Sequence, residues 1–161
     1  MSHRGPRSEA RARSRVRAFA AAGVALVAAC AVHAQTPGLP LAVVGDGVPQ
    51  PLTDDAPVAA RGRALLVARE SANCVLCHAV PDAAVRFSGN VGPSLAGAGA
   101  RFTAAQLRLR VADNGRLNPQ TVMPSYYRVD GLDRVADAYR GKPVLTAREV
   151  EDVVAYLSTL R

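Results

Sequence analysis

The 161-residue sequence predicts an all-α domain, and three observations carry that expectation. Thr103 is followed by Gln106, and Thr146 by Glu149. Both pairs match the capping box, in which a hydroxyl takes a free helix amide and the third helical side chain reaches back to the cap. After the second box, Val150, Val153, Val154, Leu157 and Leu160 recur at the three-and-four spacing of one buried helix face. No run alternates with the period of two that a half-buried strand requires, and there are no internal repeats.

The first element is a leader. Arg4, Arg7, Arg11, Arg13, Arg15 and Arg17 face one acid, Glu9, and the uncharged "AFAAAGVALVAACAV" follows from Ala18 to Val32. A basic start, an apolar run and small residues at −3 and −1 describe a secretory signal peptide, with cleavage expected after Ala34 and delivery to the periplasm. A membrane-spanning helix is the rival reading, since the run approaches the ~17-residue lower limit for one. Cys30 in "LVAAC" leaves lipid attachment as another, which would tether the domain to a membrane. No paired arginines occur, so general secretion is expected rather than a twin-arginine route. Residues 1–34 hold +5 of the formal +7, leaving +2 on the other 127 residues. Nucleic-acid binding therefore has little support.

Residues 35–57 contain five prolines and three glycines in 23 positions, which predicts an irregular arm, either wrapped on the domain or loose. A folded domain is expected over residues 58–161. Proline-free "VAARGRALLVARESANC" predicts a helix from about Val58 to Ser71. A second helix is expected after Thr103 through "AAQLRLRVADN", ending near Gly115, and a third after Thr146. Between them Gly115, Pro119, Pro124, Gly131 and Gly141 predict a long loop with one short helix around Leu132 to Tyr139. The whole chain has only three Phe, four Tyr and no Trp, so these helices have little large apolar surface to pack on. A large apolar cofactor at the centre would resolve that shortage.

"SANCVLCHAV" places Cys74, Cys77 and His78 within five residues. A thioredoxin-like redox pair requires a preceding strand, and none is readable before Asn73. A structural zinc ion requires four ligands, and the chain after Ala34 has two Cys and one His. Cys-x-x-Cys-His is the attachment pattern of c-type haem: Cys74 and Cys77 would form the thioethers and His78 the proximal iron ligand. After Ala34 the only other sulfur is Met123, in the Pro/Gly-punctuated stretch "TVMPSYY". It is the candidate for the second axial position, where a thioether raises the reduction potential. A gap-filling core methionine is the bland alternative. Glycine-rich "FSGNVGPSLAGAGARF", turning at Pro93, is expected to bring a backbone carbonyl to the second nitrogen of His78. Arg86 and Arg101 are either propionate partners or solvated charges, and the roles of Tyr126 and Tyr127 stay open, with ordinary loop packing the bland alternative.

Cys74 to His78, Gly92-Pro93-Ser-Leu95, Met123-Pro124 and a last helix containing Tyr156-Leu157 resemble class I cytochrome c in order and spacing. The resemblance implies an all-α domain wrapped around one covalent haem, with Gly62 and Tyr156 at the crossing of first and last helices. The gap from Gly62 to Cys74 is longer than in short cytochromes c. "NPQTVMPSYYRVDGL" and "RGKPVLTAREVEDVVAYL" give a narrower resemblance, to the SoxX family of monohaem subunits. It implies a heterodimer with SoxA within an L-cysteine S-thiosulfotransferase that joins thiosulfate to a cysteine of the carrier SoxY. The catalytic thiolate is then expected in SoxA, with no catalytic residue here, and electrons pass to a soluble cytochrome c. The residues alone also allow a stand-alone electron carrier, or a ligand-binding haem protein with a labile sixth position.

Overall fold

The computed structural model describes residues 40–161. The leader, Cys30, the cleavage point after Ala34 and the start of the arm lie outside the described residues. Four α-helices follow in order: α1 (Ala59–Val67), α2 (Ala98–Arg101), α3 (Ala104–Asp113) and α4 (Ala147–Thr159). Single 3-10 turns occupy Cys74–Leu76, Asn114–Arg116 and Asp137–Tyr139. Among the described residues the one β feature is an isolated antiparallel bridge between Val44 and Gly47. No helix described is long and apolar enough to cross a membrane.

Both capping boxes form. The Thr103 hydroxyl accepts from the Gln106 amide while Gln106 Oε1 accepts from the Thr103 amide, and Thr146 and Glu149 repeat the exchange. Each satisfies two of the amides that a helix start leaves without partners. The face foreseen on α4 is buried at Val150, Val153, Val154 and Leu157, and it packs against α1 and α3.

The α1–α4 crossing depends on Gly62. A Cβ there would lie 1.9 Å from the Asp152 carbonyl oxygen, so the two backbones touch where a side chain would hold them apart. Asp152, itself buried in α4, accepts from the Val58 amide at 2.6 Å and from Arg61 Nε at 2.7 Å. This fixes the start of α1, which has no capping side chain of its own.

The described part of the arm wraps the domain. Val48 is buried, and its amide donates to the Ala105 carbonyl at 2.9 Å. Arg108 and Glu151 form a buried pair, Nε to Oε1 2.6 Å and Nη2 to Oε2 2.8 Å. Their spare capacity goes to the arm: Arg108 Nη1 donates to the Val48 carbonyl at 2.6 Å, and Glu151 Oε1 accepts from the Leu52 amide at 2.9 Å.

Three local expectations change. The first helix stops at Val67 instead of Ser71, because Ala68 is extended and the chain then turns into left-handed Asn73, φ 47°. Asn is one of the few residues that tolerates this conformation. The segment Leu132 to Tyr139 yields only the turn Asp137–Tyr139. The short α2 was unforeseen; within it the Gly99 amide donates to the Leu160 carbonyl at 2.9 Å, docking it on the end of α4.

Candidate functional site

One cavity of about 500 Å³ lies among α2, α3, α4 and the loops, and its wall contains Cys74, Cys77, His78 and Met123 together. Its floor is apolar: Leu95, Leu107, Val111, Leu145, Val153 and Leu157 all face it. This volume and lining suit a large flat apolar group held by a few polar contacts.

The cysteines are presented by the turn Cys74–Leu76, whose geometry follows from Asn73. The Asn73 carbonyl accepts from the Leu76 amide, and the Cys74 carbonyl accepts from the amides of Cys77 and His78 at 3.1 and 2.9 Å. Val75 is buried beneath the turn while Leu76 points outward, leaving Cys74 and Cys77 half-buried on the cavity side and not joined as a disulfide. As a free thiol Cys74 is pushed up to about 11, mainly by burial. A redox or nucleophilic Cys-x-x-Cys needs the opposite, a depressed thiolate pKa.

His78 is oriented by the following loop, as the sequence suggested. Its Nδ1 lies 2.7 Å from the Pro93 carbonyl oxygen, so Nδ1 carries the proton and Nε2 keeps its lone pair for a metal. Gly92 makes the approach possible: a Cβ there would sit 2.3 Å from His78 Cε1. The Gly92 amide also donates to the Cys77 carbonyl, and the Gly89 amide to that of Val75, both at 2.8 Å. Backbone bonds thus bind the loop to the cysteine turn.

Met123 enters the same cavity from the loop between α3 and α4 and is half-buried. Its amide donates to Thr121 Oγ1 at 3.1 Å, and Thr121 Oγ1 accepts from Asn114 Nδ2 at 2.9 Å. Three residues on, buried Tyr126 donates its hydroxyl to the Ala72 carbonyl at 2.9 Å, linking the methionine segment to the residue two before Cys74. Burial, with Cys74 beside it, pushes the Tyr126 hydroxyl well above its ordinary value, so it stays a donor. The role of Tyr126, open in the sequence, is to line the cavity while its hydroxyl ties the two ligand-bearing segments together.

Arg101 lines the cavity and Arg86, exposed, does not. Arg101 donates to the carbonyls of Ala96 and Ser94, at 2.5 and 3.0 Å, so it braces the histidine loop. Arg110, missed in the sequence, also lines the cavity and stacks over Phe102 at 4.1 Å from the ring centre. Among the described residues no group of three His, Cys, Asp or Glu is placed to hold a metal ion. The residues present fit haem: two unpaired thiols on one turn, an imidazole with its free nitrogen fixed by the Pro93 carbonyl, a glycine cradle, an apolar slot and a thioether in its wall.

Comparison with known proteins agrees with this geometry. The family model described as cytochrome c matches residues 59–161. The fold is similar to a chain of the crystal structure of SoxXA from P. pantotrophus, with TM-score 0.67, 37% identity, and coverage of 74% of this chain and 93% of that one. It also has a weaker likeness to the c-type cytochrome SorU from Sinorhizobium meliloti, with TM-score 0.40, 28% identity, and coverage of 63% and 88%. No curated protein matches the chain. By its family match and its structural likeness, this chain belongs to the cytochrome c family and carries covalently bound haem c.

Proposed function

We propose that this chain is the electron-transfer subunit of a SoxXA-type complex, with Cys74 and Cys77 as haem anchors and His78 and Met123 as the axial iron ligands. The observation that carries the ligand set is the single cavity that gathers these four side chains, although Met123 stands 45 residues beyond His78. When bound, the haem supplies one-electron storage at its iron. The chain's own residues do the rest. The Pro93 carbonyl holds the Nδ1 proton of His78 and keeps the ring from rotating. The apolar floor excludes water, and a thioether at Met123 favours the reduced state.

The SoxXA likeness supports SoxA as the partner. The reaction then joins thiosulfate to a cysteine thiolate of SoxY, forming a sulfur–sulfur bond and releasing two electrons. This chain accepts them one at a time and passes them to a soluble cytochrome c. Its own residues are consistent with a role that is not catalytic, since Cys74 and Cys77 are its only described thiols and both are committed to the haem. The leader is consistent with work in the periplasm, where haem is attached after export. The test is optical: with SoxA and SoxY supplied, thiosulfate should reduce the haem of this chain. No reduction with both partners present would sink the assignment.

A further inference from the structure

Asp113 is the last residue of α3 and 1% exposed. Nothing about helix stability recommends it there: a carboxylate at a helix C-terminus faces the negative end of the dipole, and burial removes its water. It is compensated from elsewhere. Oδ1 accepts from the Ser125 hydroxyl at 2.7 Å, and Oδ2 pairs with Arg128 Nε at 2.9 Å and with Arg116 Nε at 3.4 Å. Ser125 and Arg128 lie two and five residues beyond Met123.

The residues on either side of Asp113 grip the same segment. The Ala112 carbonyl accepts from the amides of Tyr127 and Arg128 at 3.1 and 3.4 Å. Asn114 Nδ2 holds Thr121 Oγ1 at 2.9 Å, and that oxygen in turn takes the Met123 amide. Three consecutive residues at the end of α3 therefore hold Met123 from both sides, with Thr121 before it and Ser125, Tyr127 and Arg128 after it. The segment between, Val122 to Pro124, has no other described backbone hydrogen bond to the domain.

We infer that Asp113 is a positioning residue for the sulfur ligand: its buried carboxylate, through Ser125 and Arg128, keeps Met123 in the cavity and so keeps the sixth iron position closed. The inference rests on the assignment of Met123 as ligand. Buried charged groups contribute little net stability, and their best-attested use is to fix register. An outside ligand competes only with the fraction of molecules in which the methionine is off, so its apparent affinity measures the grip directly.

The probe is imidazole, titrated into the ferric holoprotein and followed by absorbance. Asp113→Asn keeps the shape but removes the charge, and apparent imidazole affinity should rise about tenfold, the order expected for losing charge-assisted hydrogen bonds. Ser125→Ala, which loses one hydroxyl, should raise it about threefold. Val154→Ala, a core change on α4, should lower the melting temperature without moving imidazole affinity. That contrast separates positioning from general stability. If Asp113→Asn does not fold, Ser125→Ala decides on the same readout. Wild-type imidazole affinity in the Asp113 and Ser125 variants, alongside tight binding by Met123→Ala, would overturn the positioning role alone. If Met123→Ala itself leaves the spectrum unchanged, the ligand assignment falls and this role falls with it.

Discussion

Replacing Gly62 by alanine tests the close crossing of α1 and α4, and the sign of the effect depends on two opposed terms. Alanine is the better helix former by about 1 kcal/mol, so in an exposed helix Gly62→Ala would stabilise. Here the new Cβ would lie 1.9 Å from Asp152 O, 2.4 Å from Asp152 C and 2.8 Å from Val153 N, all backbone atoms that no rotamer change can clear. Ordinary contact begins at 3.4 Å, so α1 has to move off α4 by about 1.5 Å. Even a 0.5–1 Å gap forfeits roughly a quarter to a half of the dispersion energy across a packed face. The face concerned includes Leu66, 1% exposed, and the Asp152 bonds to Val58 and Arg61 stretch with it. Overpacking costs about 1–3 kcal/mol, and a backbone clash belongs at or above the top of that range. The net expectation is a loss of about 2 kcal/mol, or roughly 8 °C in melting temperature for a domain of this size. Thermal unfolding of the holoprotein, followed by circular dichroism, measures it. A melting temperature equal to or above that of the wild type would refute the close crossing.

Three further outcomes follow from the same structure. Arg108→Met should cost about 3–5 kcal/mol in chemical denaturation, because it strands the buried Glu151 carboxylate and releases the arm at Val48. Gly92→Ala should push His78 off the Pro93 carbonyl, lowering the yield of haem-loaded protein and shifting its reduction potential in electrochemical titration. The hydrogen bond from Arg63 lowers the Asp82 pKa below 3.8, so this carboxylate stabilises the fold above the ordinary carboxylate range. That contribution is lost as pH falls through the lowered value. The stability difference between wild type and Asp82→Asn should therefore be present at neutral pH and vanish in acid, and it should shrink with added salt.

The sequence was legible where local chemistry decides. Thr103 with Gln106 and Thr146 with Glu149 are complete helix-start signals within four residues, and both formed as read. The α4 stripe was equally clear: Val150, Val153, Val154 and Leu157 are buried, and Leu160, just past the helix end, is half-buried. A loop carbonyl at His78 was foreseen because a small-residue turn must pass close to whatever it encloses; that it belongs to Pro93 is visible only in the structure. Distant pairings were not legible. Arg108 and Glu151 look like ordinary exposed helix charges in sequence, and only the packing of α3 on α4 brings them together and under the arm. Asp113 reads as a helix-end acid, and Tyr126 as one of two loop tyrosines; their roles depend on residues 12 and 54 positions away. The early end of α1 was hidden because nothing in "ARESAN" forbids helix, and its chain path is set by Asn73 and the cysteine turn.

In the proposed haem site His78 and Met123, far apart in sequence, complete one iron coordination sphere. The decisive measurement is the absorption spectrum of Met123→Ala beside that of the wild type, in ferric and ferrous forms. Removing the thioether should abolish the weak long-wavelength band of ferric methionine ligation and shift the spectrum toward high spin. Ferric and ferrous spectra identical to those of the wild type would contradict it.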